Sequence, residues 1–317
     1  MAQETVAVIG ATGAQGSSVL KSLSSAPHQY KLRGITRNPG SPRVHELQQA
    51  LPSVEWVSAD LSDIPSLQRA LEGVDILFAN TTHFQPEILS KMDSGDTDAE
   101  FHQGKALVDA AISQGVKHII YSSYESPRAV SKGKYVHAYG PEAKHKIEQY
   151  IRARADRVRG YFVYAGFYFQ NLLYTASWAA PEPSNQEERA VVFTYPIPGS
   201  VALPYFDVER DLGNTVQLIL DNREKFEGEA VAAVEGHYTG DQLAEAYTRA
   251  TGVPAAYRYG KLGGVDRREI DEMMDYMAEF GAMSELDTAV ARNTTPRPFA
   301  TLDGFWQRHA SFRPQAQ

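Results

Sequence analysis

Residues 5–16 read TVAVIGATGAQG, a strand-like run that ends in a glycine-rich turn, and a helix-like stretch follows as far as residue 23. Glycines at positions 10, 13 and 16 let the chain turn tightly, bring backbone N–H groups against a pyrophosphate, and pack the helix closely on its strand. An anion bound there sits at the positive end of the helix dipole. The stretch therefore predicts a dinucleotide site rather than a turn that binds nothing, and its expected contacts are Gly10, Thr12, Gly13, Ala14, Gln15 and Gly16.

The composition indicates an acidic globular protein. The 317 residues are 43% hydrophobic, carry a net charge of −8 and include no cysteine. Surfaces that bind phosphate backbones concentrate lysine and arginine, so we expect no direct contact with nucleic acid. Without cysteine there is no disulfide or thiol nucleophile, and no metal site is indicated. No apolar run approaches the roughly 18 residues of a membrane span and no leader-like segment precedes the first strand, so we expect a cytoplasmic protein without membrane contact.

Strand-like and helix-like patterns alternate through the first half of the chain. Apolar runs at 32–36, 54–58, 74–80 and 118–122 are separated by helical patterns at 42–51, 64–71 and 98–114. A further helix, with Pro141 as its first residue, is predicted to lead into the run 158–164. Such alternation predicts an α/β protein with a parallel, doubly wound sheet.

The regular alternation ends near residue 165, and we expect two parts. Residues 1–165 would form the cofactor-binding domain, and residues 166–317 a smaller, mostly helical substrate-side lobe of mixed structure, with some segments returning to the sheet. Ligands of open α/β sheets bind beyond the carboxyl ends of the strands, so this lobe should cover the cofactor. Polar loops are predicted at 93–98, 126–134 and 183–189, short strands at 191–195 and 201–206, and a frayed tail at 314–317.

The end of the second predicted strand indicates which dinucleotide is bound. An NAD site usually carries an acidic residue there for the ribose 2′-hydroxyl, whereas this chain has Thr36-Arg37-Asn38. A guanidinium matches the charge and geometry of a 2′-phosphate. The sequence therefore predicts NADP(H) in preference to NAD(H), the alternative being that Arg37 is a solvated arginine at a strand end.

Further cofactor contacts are expected where later strands end. Asp60-Leu61 follows the third strand and could reach the adenine, although Asp60 could equally cap the next helix. Asn80-Thr81-Thr82 ends the fourth strand, where the nicotinamide half would lie. The aromatic segment 161–178 begins as sheet core and could then line a pocket for a small apolar or aromatic substrate, with Tyr164 and Phe167 beside the cofactor.

Lys144 is the leading catalytic candidate. In a helix that begins at Pro141 it lies in the opening turn, on the inward stripe with Ile147 and Ile151. A cation there opposes the helix dipole, so it gains by meeting a polar or negative group of substrate, ribose or phosphate. The alternative is a lysine with a buried stem and a solvated head.

The tyrosine acid of ordinary short-chain dehydrogenases is missing. Their Tyr-x-x-x-Lys spacing would require tyrosine at position 140, which is glycine, and Tyr139 is predicted to lie outside the helix. Two strand-end residues remain as candidates for proton transfer. His83 has the right chemistry near neutral pH, although a lone histidine is more often structural. Tyr124 could donate a hydrogen bond near the same place.

The chain resembles the NmrA-like family, atypical short-chain dehydrogenases with an NAD(P)-binding Rossmann domain. The resemblance is carried by GATGAQG at 10–16, TRNP at 36–39, KHKIEQYIR at 144–152, GFYFQNL at 166–172 and DVERDLG at 207–213. It implies a Rossmann fold for residues 1–165, a dinucleotide held at Gly10, Gly13, Gly16 and Arg37, and Lys144 at the position of the family's active-site lysine.

The resemblance leaves two functions open. Some members resemble isoflavone and quinone reductases, and an NADPH-dependent reductase of a small carbonyl or conjugated substrate would use Lys144 to orient the ribose or polarise an oxyanion. Other members are regulators, and a non-catalytic redox sensor would act on a transcription factor or other protein partner, in the cytoplasm or nucleus, through loops ordered by the cofactor. A third possibility is a cofactor-binding protein with a decayed active site. The aromatic segment favours the reductase.

Overall fold

The computed structural model describes residues 3–26, 30–178, 190–260, 268–283 and 285–314. Its strands are β1 (Thr5–Ile9), β2 (Lys31–Thr36), β3 (Glu55–Ser58), β4 (Ile76–Ala79), β5 (His118–Ser123), β6 (Arg159–Ala165), β7 (Phe167–Tyr168), β8 (Ala176–Trp178), β9 (Val191–Tyr195), β10 (Leu203–Phe206), β11 (Ala230–Ala233), β12 (Gly236–Tyr238) and β13 (Ala255–Tyr259). The predicted loop at 183–189 lies outside the described residues, as does the predicted tail beyond Pro314.

The helices of the described residues vary from a single turn to four turns. They are α1 (Ala14–Ser24), α2 (Pro42–Ala50), α3 (Ile64–Leu71), α4 (Pro86–Asp93), α5 (Ala99–Ser113), α6 (Pro127–Val130), α7 (Tyr139–Arg152), α8 (Asn171–Thr175), α9 (Val208–Asp221), α10 (Arg223–Phe226), α11 (Gly240–Thr251), α12 (Arg268–Phe280), α13 (Val290–Thr294) and α14 (Leu302–Arg308). No helix in the described ranges combines the length and apolarity needed to cross a bilayer.

A seven-stranded parallel sheet organises the molecule. Its strand order is β11-β6-β5-β4-β1-β2-β3, and every neighbouring pair is parallel. The chain runs from β1 outward to β3, crosses back to β4 and continues to the other edge, which confirms the predicted doubly wound sheet. The strand order reverses between β1 and β4, and folds of this kind bind ligands in the crevice beyond the carboxyl ends of such strands.

Helices cover both faces of this sheet, which is why β4 and β5 are buried at every position. Alternate strand residues face opposite layers, since side chains alternate along a strand. Val8 and Phe78 belong to the core shared with α1 and α9, whereas Ile9 and Leu77 belong to the core shared with α3, α5 and α7. The strands and helices that alternate along the first half of the sequence therefore form two separate hydrophobic cores, one on each face of the sheet.

The helix that carries Lys144 begins earlier than predicted. α7 starts at Tyr139 with Ala138 as its N-cap, so Tyr139 lies inside the helix and Lys144 lies in the second turn rather than the first. The N–H groups of a first turn have no intrahelical acceptor, so Pro141, which lacks one, is tolerated as the third helical residue. The predicted opposition between Lys144 and the helix dipole is correspondingly weaker, because that effect fades after the first turn.

The predicted surface loop at 126–134 is also more ordered than its composition suggests. It contains the short helix α6, and Ser126 and Ser131 are buried. Glu142 of α7 accepts hydrogen bonds from Ser126 Oγ (2.8 Å) and from the backbone N–H of Arg128 (2.7 Å). A buried carboxylate thus fixes the segment to the helix that carries Lys144. The predicted loop at 93–98 is shorter, because α4 extends to Asp93.

The second half of the chain builds a lobe and also completes the sheet. The lobe holds two three-stranded sheets, β12-β10-β7 and β13-β9-β8, and helices around a core that includes Phe193, Tyr247 and Trp306. β11 pairs with β6, and α9 packs on α1, with the N–H of Gly213 donating to Ser18 Oγ (3.0 Å). Segments from beyond residue 165 therefore return to the sheet, and the division at that residue stays a prediction.

Candidate functional site

Two cavities meet at the carboxyl ends of β1, β2 and β4. The larger has a volume of about 530 Å³ and the smaller about 230 Å³. Both are lined by Gly10, Gly13, Asn80 and Thr82. The cavities therefore form one continuous cleft at the position where the strand order reverses, which is where a doubly wound sheet binds a dinucleotide.

The glycine turn shapes the middle of this cleft. Gly10 has a positive φ of 65°, which other residues rarely adopt. A Cβ on Gly16 would lie 2.8 Å from Gly10 C and 2.9 Å from Ala11 Cα, so glycine is required for α1 to sit against the turn. The N-cap Gly13 supplies no side-chain cap, and the first turn of α1 has no acidic residue. The N-terminus of α1 thus keeps its backbone donors and positive dipole end for an anion.

The smaller cavity gathers the residues predicted for the adenine and ribose. It is lined by Ile9, Gly10, Thr12, Gly13, Ile35, Thr36, Arg37, Ala59, Asp60, Leu61, Leu67, Asn80, Thr82 and Gln85. The Arg37 side chain is 63% exposed, and its guanidinium lies 3.8 Å from Glu87 Oε1, an exposed ion pair of little strength. Arg37 therefore remains available to a ligand in this cavity.

The structure distinguishes the two interpretations of Asp60. The N-cap of α3 is Asp63, whose Oδ1 accepts from the N–H of Ser66 (3.3 Å). Asp60 instead accepts from the N–H of Ser62 (2.7 Å) and lines the smaller cavity. Asp60 is thus not the helix cap, and it shapes the loop that borders the cavity.

Lys144 lies at the wall of the larger cavity. Its Nζ donates to Thr81 O (2.6 Å) and to Glu100 Oε1 (2.9 Å), and its side chain is 21% exposed. Gly104 of α5 permits the close approach of α7, because a Cβ there would lie 2.6 Å from Ile147 Cγ1. The ammonium is therefore held between β4 and α5, rather than extended into water.

Glu100, in the first turn of α5, connects the polar residues of this wall. Its Oε1 accepts from Lys144 and from Thr81 Oγ1 (2.7 Å), and its Oε2 lies 3.2 Å from His83 Nδ1. Burial alone would raise the pKa of Glu100, but the Lys144 ammonium and the hydrogen bonds from His83, Thr81 and Lys144 lower the pKa to about 2. The positive end of α5 also favours a carboxylate at this position. A buried charge paired in this way is strongly fixed in position.

Two of the three predicted aromatic site residues lie away from the cleft. Tyr124 lines the larger cavity, and burial raises the pKa of its phenol. Tyr164 donates from its hydroxyl to Glu148 Oε2 (3.0 Å) within the core, and Phe167 packs against the ring of Tyr205. Neither Tyr164 nor Phe167 lines either cavity. The neighbouring Tyr168 does so instead, and it hydrogen-bonds with Gln15 Nε2 (2.6 Å).

Sequence reasoning missed the roof of the larger cavity. α12 contributes Glu269, Ile270, Met273 and Met277 to its lining. Glu272 of the same helix accepts from the backbone N–H groups of residues 136 and 137 (2.9 and 2.7 Å). The apolar spacing of α12 is typical of an amphipathic helix, and such spacing does not indicate which surface the helix covers. The roof is therefore tied to the segment that leads into α7.

Glu100 was missed as well, since an acidic residue in a first turn is already explained by its favourable interaction with the helix dipole. Phe84, which is 53% exposed, is a further lining residue that the sequence did not single out. Among the described residues there is no cluster of three or more histidine, aspartate or glutamate side chains able to hold a metal ion. Lys144, His83 and Thr81 line the larger cavity, and the buried Glu100 connects them by hydrogen bonds.

Sequence comparison places the chain among proteins of one family. The family model described as the NmrA-like family matches residues 2–305. The NmrA-like family domain-containing oxidoreductase cpsB of Aspergillus campestris is 32% identical over 264 residues, which cover 80% of this chain and 74% of that protein. The nitrogen metabolite repression protein nmrA of Emericella nidulans is 29% identical over 264 residues, covering 79% and 67%.

Solved structures show the same fold at lower identity. NmrA, a negative transcriptional regulator, in complex with NADP superimposes with a TM-score of 0.76 at 22% identity, covering 97% of this chain and 95% of that one. The NADPH-dependent quinone oxidoreductase QOR2 of Escherichia coli, complexed with NADPH, gives a TM-score of 0.67 at 21% identity, covering 96% and 99%. With a family match over nearly its whole length and a doubly wound Rossmann-type sheet, the chain belongs to the NmrA-like family.

Proposed function

We propose that this chain is an NADPH-dependent reductase that acts on a small apolar or aromatic carbonyl or conjugated substrate. The observation that carries the proposal is the position of Lys144, whose ammonium lines a cavity of about 530 Å³ continuous with the glycine turn. Relatives described as oxidoreductases and a quinone oxidoreductase of the same fold support it. The cofactor would contribute the hydride, and the chain's residues bind, orient and exclude water.

The residues of the cleft fit a dinucleotide. Gly10, Gly13 and the N-terminus of α1 offer backbone donors and space for a pyrophosphate. The smaller cavity suits an adenosine, with Asp60 at its edge. The larger cavity suits the nicotinamide half, where Asn80 and Thr82 continue the wall. Fold relatives crystallised with NADP or NAD support a nicotinamide dinucleotide.

The substrate end of the larger cavity is apolar. Phe84, Tyr168, Ile270, Met273 and Met277 line it. Methionine adapts its shape to irregular ligands and interacts favourably with aromatic rings. A small apolar or aromatic substrate would therefore be enclosed against α12, and Lys144 would polarise its oxygen as negative charge develops.

The preference for NADPH over NADH rests on Arg37. We expect Arg37→Ala to weaken NADPH binding about 10- to 100-fold, since hydrogen bonds to a charged group contribute about 1.5–3 kcal/mol. NADH affinity should stay unchanged, because NADH has no 2′-phosphate. The matched control is Arg43→Ala, which removes an exposed arginine of α2 that pairs with Glu46 (3.0 Å) and lines neither cavity. Unchanged NADPH affinity in Arg37→Ala would show that Arg37 is a solvated strand-end residue.

The reductase is tested by following NADPH oxidation against quinones, enones, aldehydes and imines. Lys144→Met keeps the aliphatic stem, and we expect it to lower kcat about 100-fold or more, the usual effect of losing a group that stabilises a developing oxyanion. Lys146→Met is the control, since Lys146 is exposed on the same helix and pairs with Asp98 outside the cleft. Turnover that survives in Lys144→Met would remove Lys144 from the mechanism.

A redox sensor is the second candidate function. It is favoured by the likeness to NmrA, a negative transcriptional regulator, and by the 29% identity to a nitrogen metabolite repression protein. The net charge of −8 means that such a regulator would act through a protein partner, in the cytoplasm or nucleus, rather than through DNA. No turnover on any of these substrate classes, with partner capture that differs between NADPH and NADP+, would favour the sensor.

A further inference from the structure

His83 uses one ring nitrogen and leaves the other without a partner. Nδ1 lies 3.2 Å from Glu100 Oε2, whereas Nε2 is buried and has no hydrogen-bond partner among the described residues. The His83 side chain is 6% exposed and lies at the wall of the larger cavity, which Lys144 also lines. Leaving a buried polar atom unpaired costs about 1–3 kcal/mol. A ligand that completes this hydrogen bond explains why the cost is tolerated.

Glu100 determines which nitrogen of His83 carries the proton. The carboxylate is ionised, because the Lys144 ammonium and its hydrogen bonds hold its pKa near 2. An ionised carboxylate only accepts hydrogen bonds, so Nδ1 must be the donor. In the neutral ring Nε2 is then an acceptor, and in the imidazolium it is the one N–H not already bonded to the protein.

Glu100 also sets the spacing between His83 and Lys144. Its Oε1 holds the Lys144 ammonium at 2.9 Å, and its Oε2 holds the His83 ring at 3.2 Å. Thr81 Oγ1 donates to the same carboxylate and lies 2.8 Å from Tyr121 Oη behind it. One buried carboxylate thus fixes the Lys144 side chain and the His83 ring at the wall of the same cavity.

We propose that His83 is the residue that passes a proton to the reduced substrate, and that Glu100 is its positioning residue. This inference rests on the proposed reductase function. As hydride adds to the substrate carbon, the carbonyl electron pair moves to oxygen. The Nε2–H bond of the His83 imidazolium breaks, the O–H bond forms, and the Nε2 lone pair remains on a neutral ring. A proton from water then restores the imidazolium. His83 thereby donates the proton that a tyrosine donates in ordinary short-chain dehydrogenases.

Two variants separate the roles of His83 and Glu100. In His83→Asn the side-chain amide nitrogen takes the place of Nδ1, so it keeps the hydrogen bond to Glu100 and removes only Nε2. In Glu100→Gln an amide N–H₂ can face Nδ1, which would move the ring proton to Nε2. The matched control is Glu148→Gln, which changes another buried carboxylate, bonded to Arg152 and Tyr164 and outside the cleft.

The first readout does not require activity. Nitrogen-15 NMR of the protein with and without NADP+ reports the protonation of each histidine ring, and the His83 signals are those that disappear in His83→Asn. We expect Nδ1 of His83 to carry a proton in the wild-type and Glu148→Gln proteins, in the imidazolium as in the neutral ring, and we expect Glu100→Gln to place the proton of the neutral ring on Nε2. A wild-type ring with its proton on Nε2 alone would overturn the inference, whether or not the protein turns over a substrate.

The second readout is kinetic. We expect His83→Asn to lower kcat about 100-fold or more, within the usual contribution of general acid catalysis, with KM and NADPH affinity changed less than about threefold. Glu100→Gln should lower kcat in the same direction, and Glu148→Gln should not. If His83→Asn retains the wild-type kcat, His83 is not the proton donor although the reductase function stands. If the wild-type protein oxidises no NADPH with any substrate class, the reductase function fails, and the proton transfer fails with it.

Discussion

Replacement of Gly16 by alanine tests the central element of the cleft. A Cβ at this position would lie 2.8 Å from Gly10 C, 2.9 Å from Ala11 Cα, and nearer still to Gly10 O. Carbon atoms in good contact are about 3.5–4.0 Å apart, so α1 must move by roughly 1 Å relative to the turn. The obstacles are backbone atoms, which cannot rotate away as a side chain would. The change therefore separates the helix N-terminus from the turn that faces it.

The change that Gly16→Ala makes in the free energy of unfolding follows from two opposing effects. Overpacking costs about 1–3 kcal/mol, and the better helix propensity of alanine offsets about 1 kcal/mol of this. We expect a net loss of about 0–2 kcal/mol in the free energy of unfolding. If the shift removes one hydrogen bond from the N-terminus of α1 to a bound phosphate, at about 1.5–3 kcal/mol, the Kd for NADPH rises about 10- to 100-fold.

The assay is fluorescence titration of NADPH together with thermal unfolding. Gly40→Ala is the control, because Gly40 is exposed and its added Cβ would meet only Asn38 Oδ1, at 3.5 Å. The control should match the wild-type protein in both measurements. If Gly16→Ala binds NADPH within about twofold of wild type, the backbone of this turn does not hold the cofactor, and the reasoning from the glycine spacing is refuted.

Three further predictions concern stability and the roof of the cleft. Gly213→Ala places a Cβ 2.6 Å from Ser22 Cβ, and it should lower the melting temperature measured by calorimetry, since α9 must move off α1. Burial raises the pKa of Asp211 to about 7. The pKa of Asp211 in the folded protein thus exceeds its value near 4 in the unfolded chain, so the free energy of unfolding falls as pH rises from 4 to 7. We expect denaturant titration to show that the wild-type protein loses roughly 3 kcal/mol more than Asp211→Asn between pH 5 and pH 8. Tyr276→Phe removes the hydroxyl donor to Glu125 Oε1 (2.7 Å) and should raise substrate KM more than NADPH Kd in steady-state kinetics; equal changes in both would show that α12 does not act on the substrate end.

The sheet was predictable because its signals are local. The run 5–16 joins a strand, a turn and a helix within a few residues, and the buried strands that follow are short apolar runs separated by helical patterns. α3 has the predicted bounds, and β5 differs from its prediction by one residue. The start of α7 was missed because Pro141 is compatible with both the first and the third helical position.

The candidate site was only partly predictable because its members come from separate elements. Lys144 could be singled out by residue type and by its place on the inward stripe of a predicted helix, and His83 by residue type and by its position after a strand. Glu100 could not be singled out in this way, because its contact with Lys144 depends on the approach of α7 to α5 at Gly104. That approach joins distant parts of the chain. The roof helix α12 lies more than 120 residues beyond Lys144, and only the tertiary fold brings it over the cavity.

The strand β11 has a consequence for how the molecule forms. It supplies one edge of the main sheet from residues 230–233, and its neighbour β6 ends at residue 165. During synthesis, β6 with its apolar Phe162 and Val163 therefore stands as an unpaired edge until more than 60 later residues have emerged. Such edges promote aggregation of nascent chains. We expect the cofactor-binding half to remain dependent on chaperones until β11 is translated, and a fragment ending at residue 165 to aggregate.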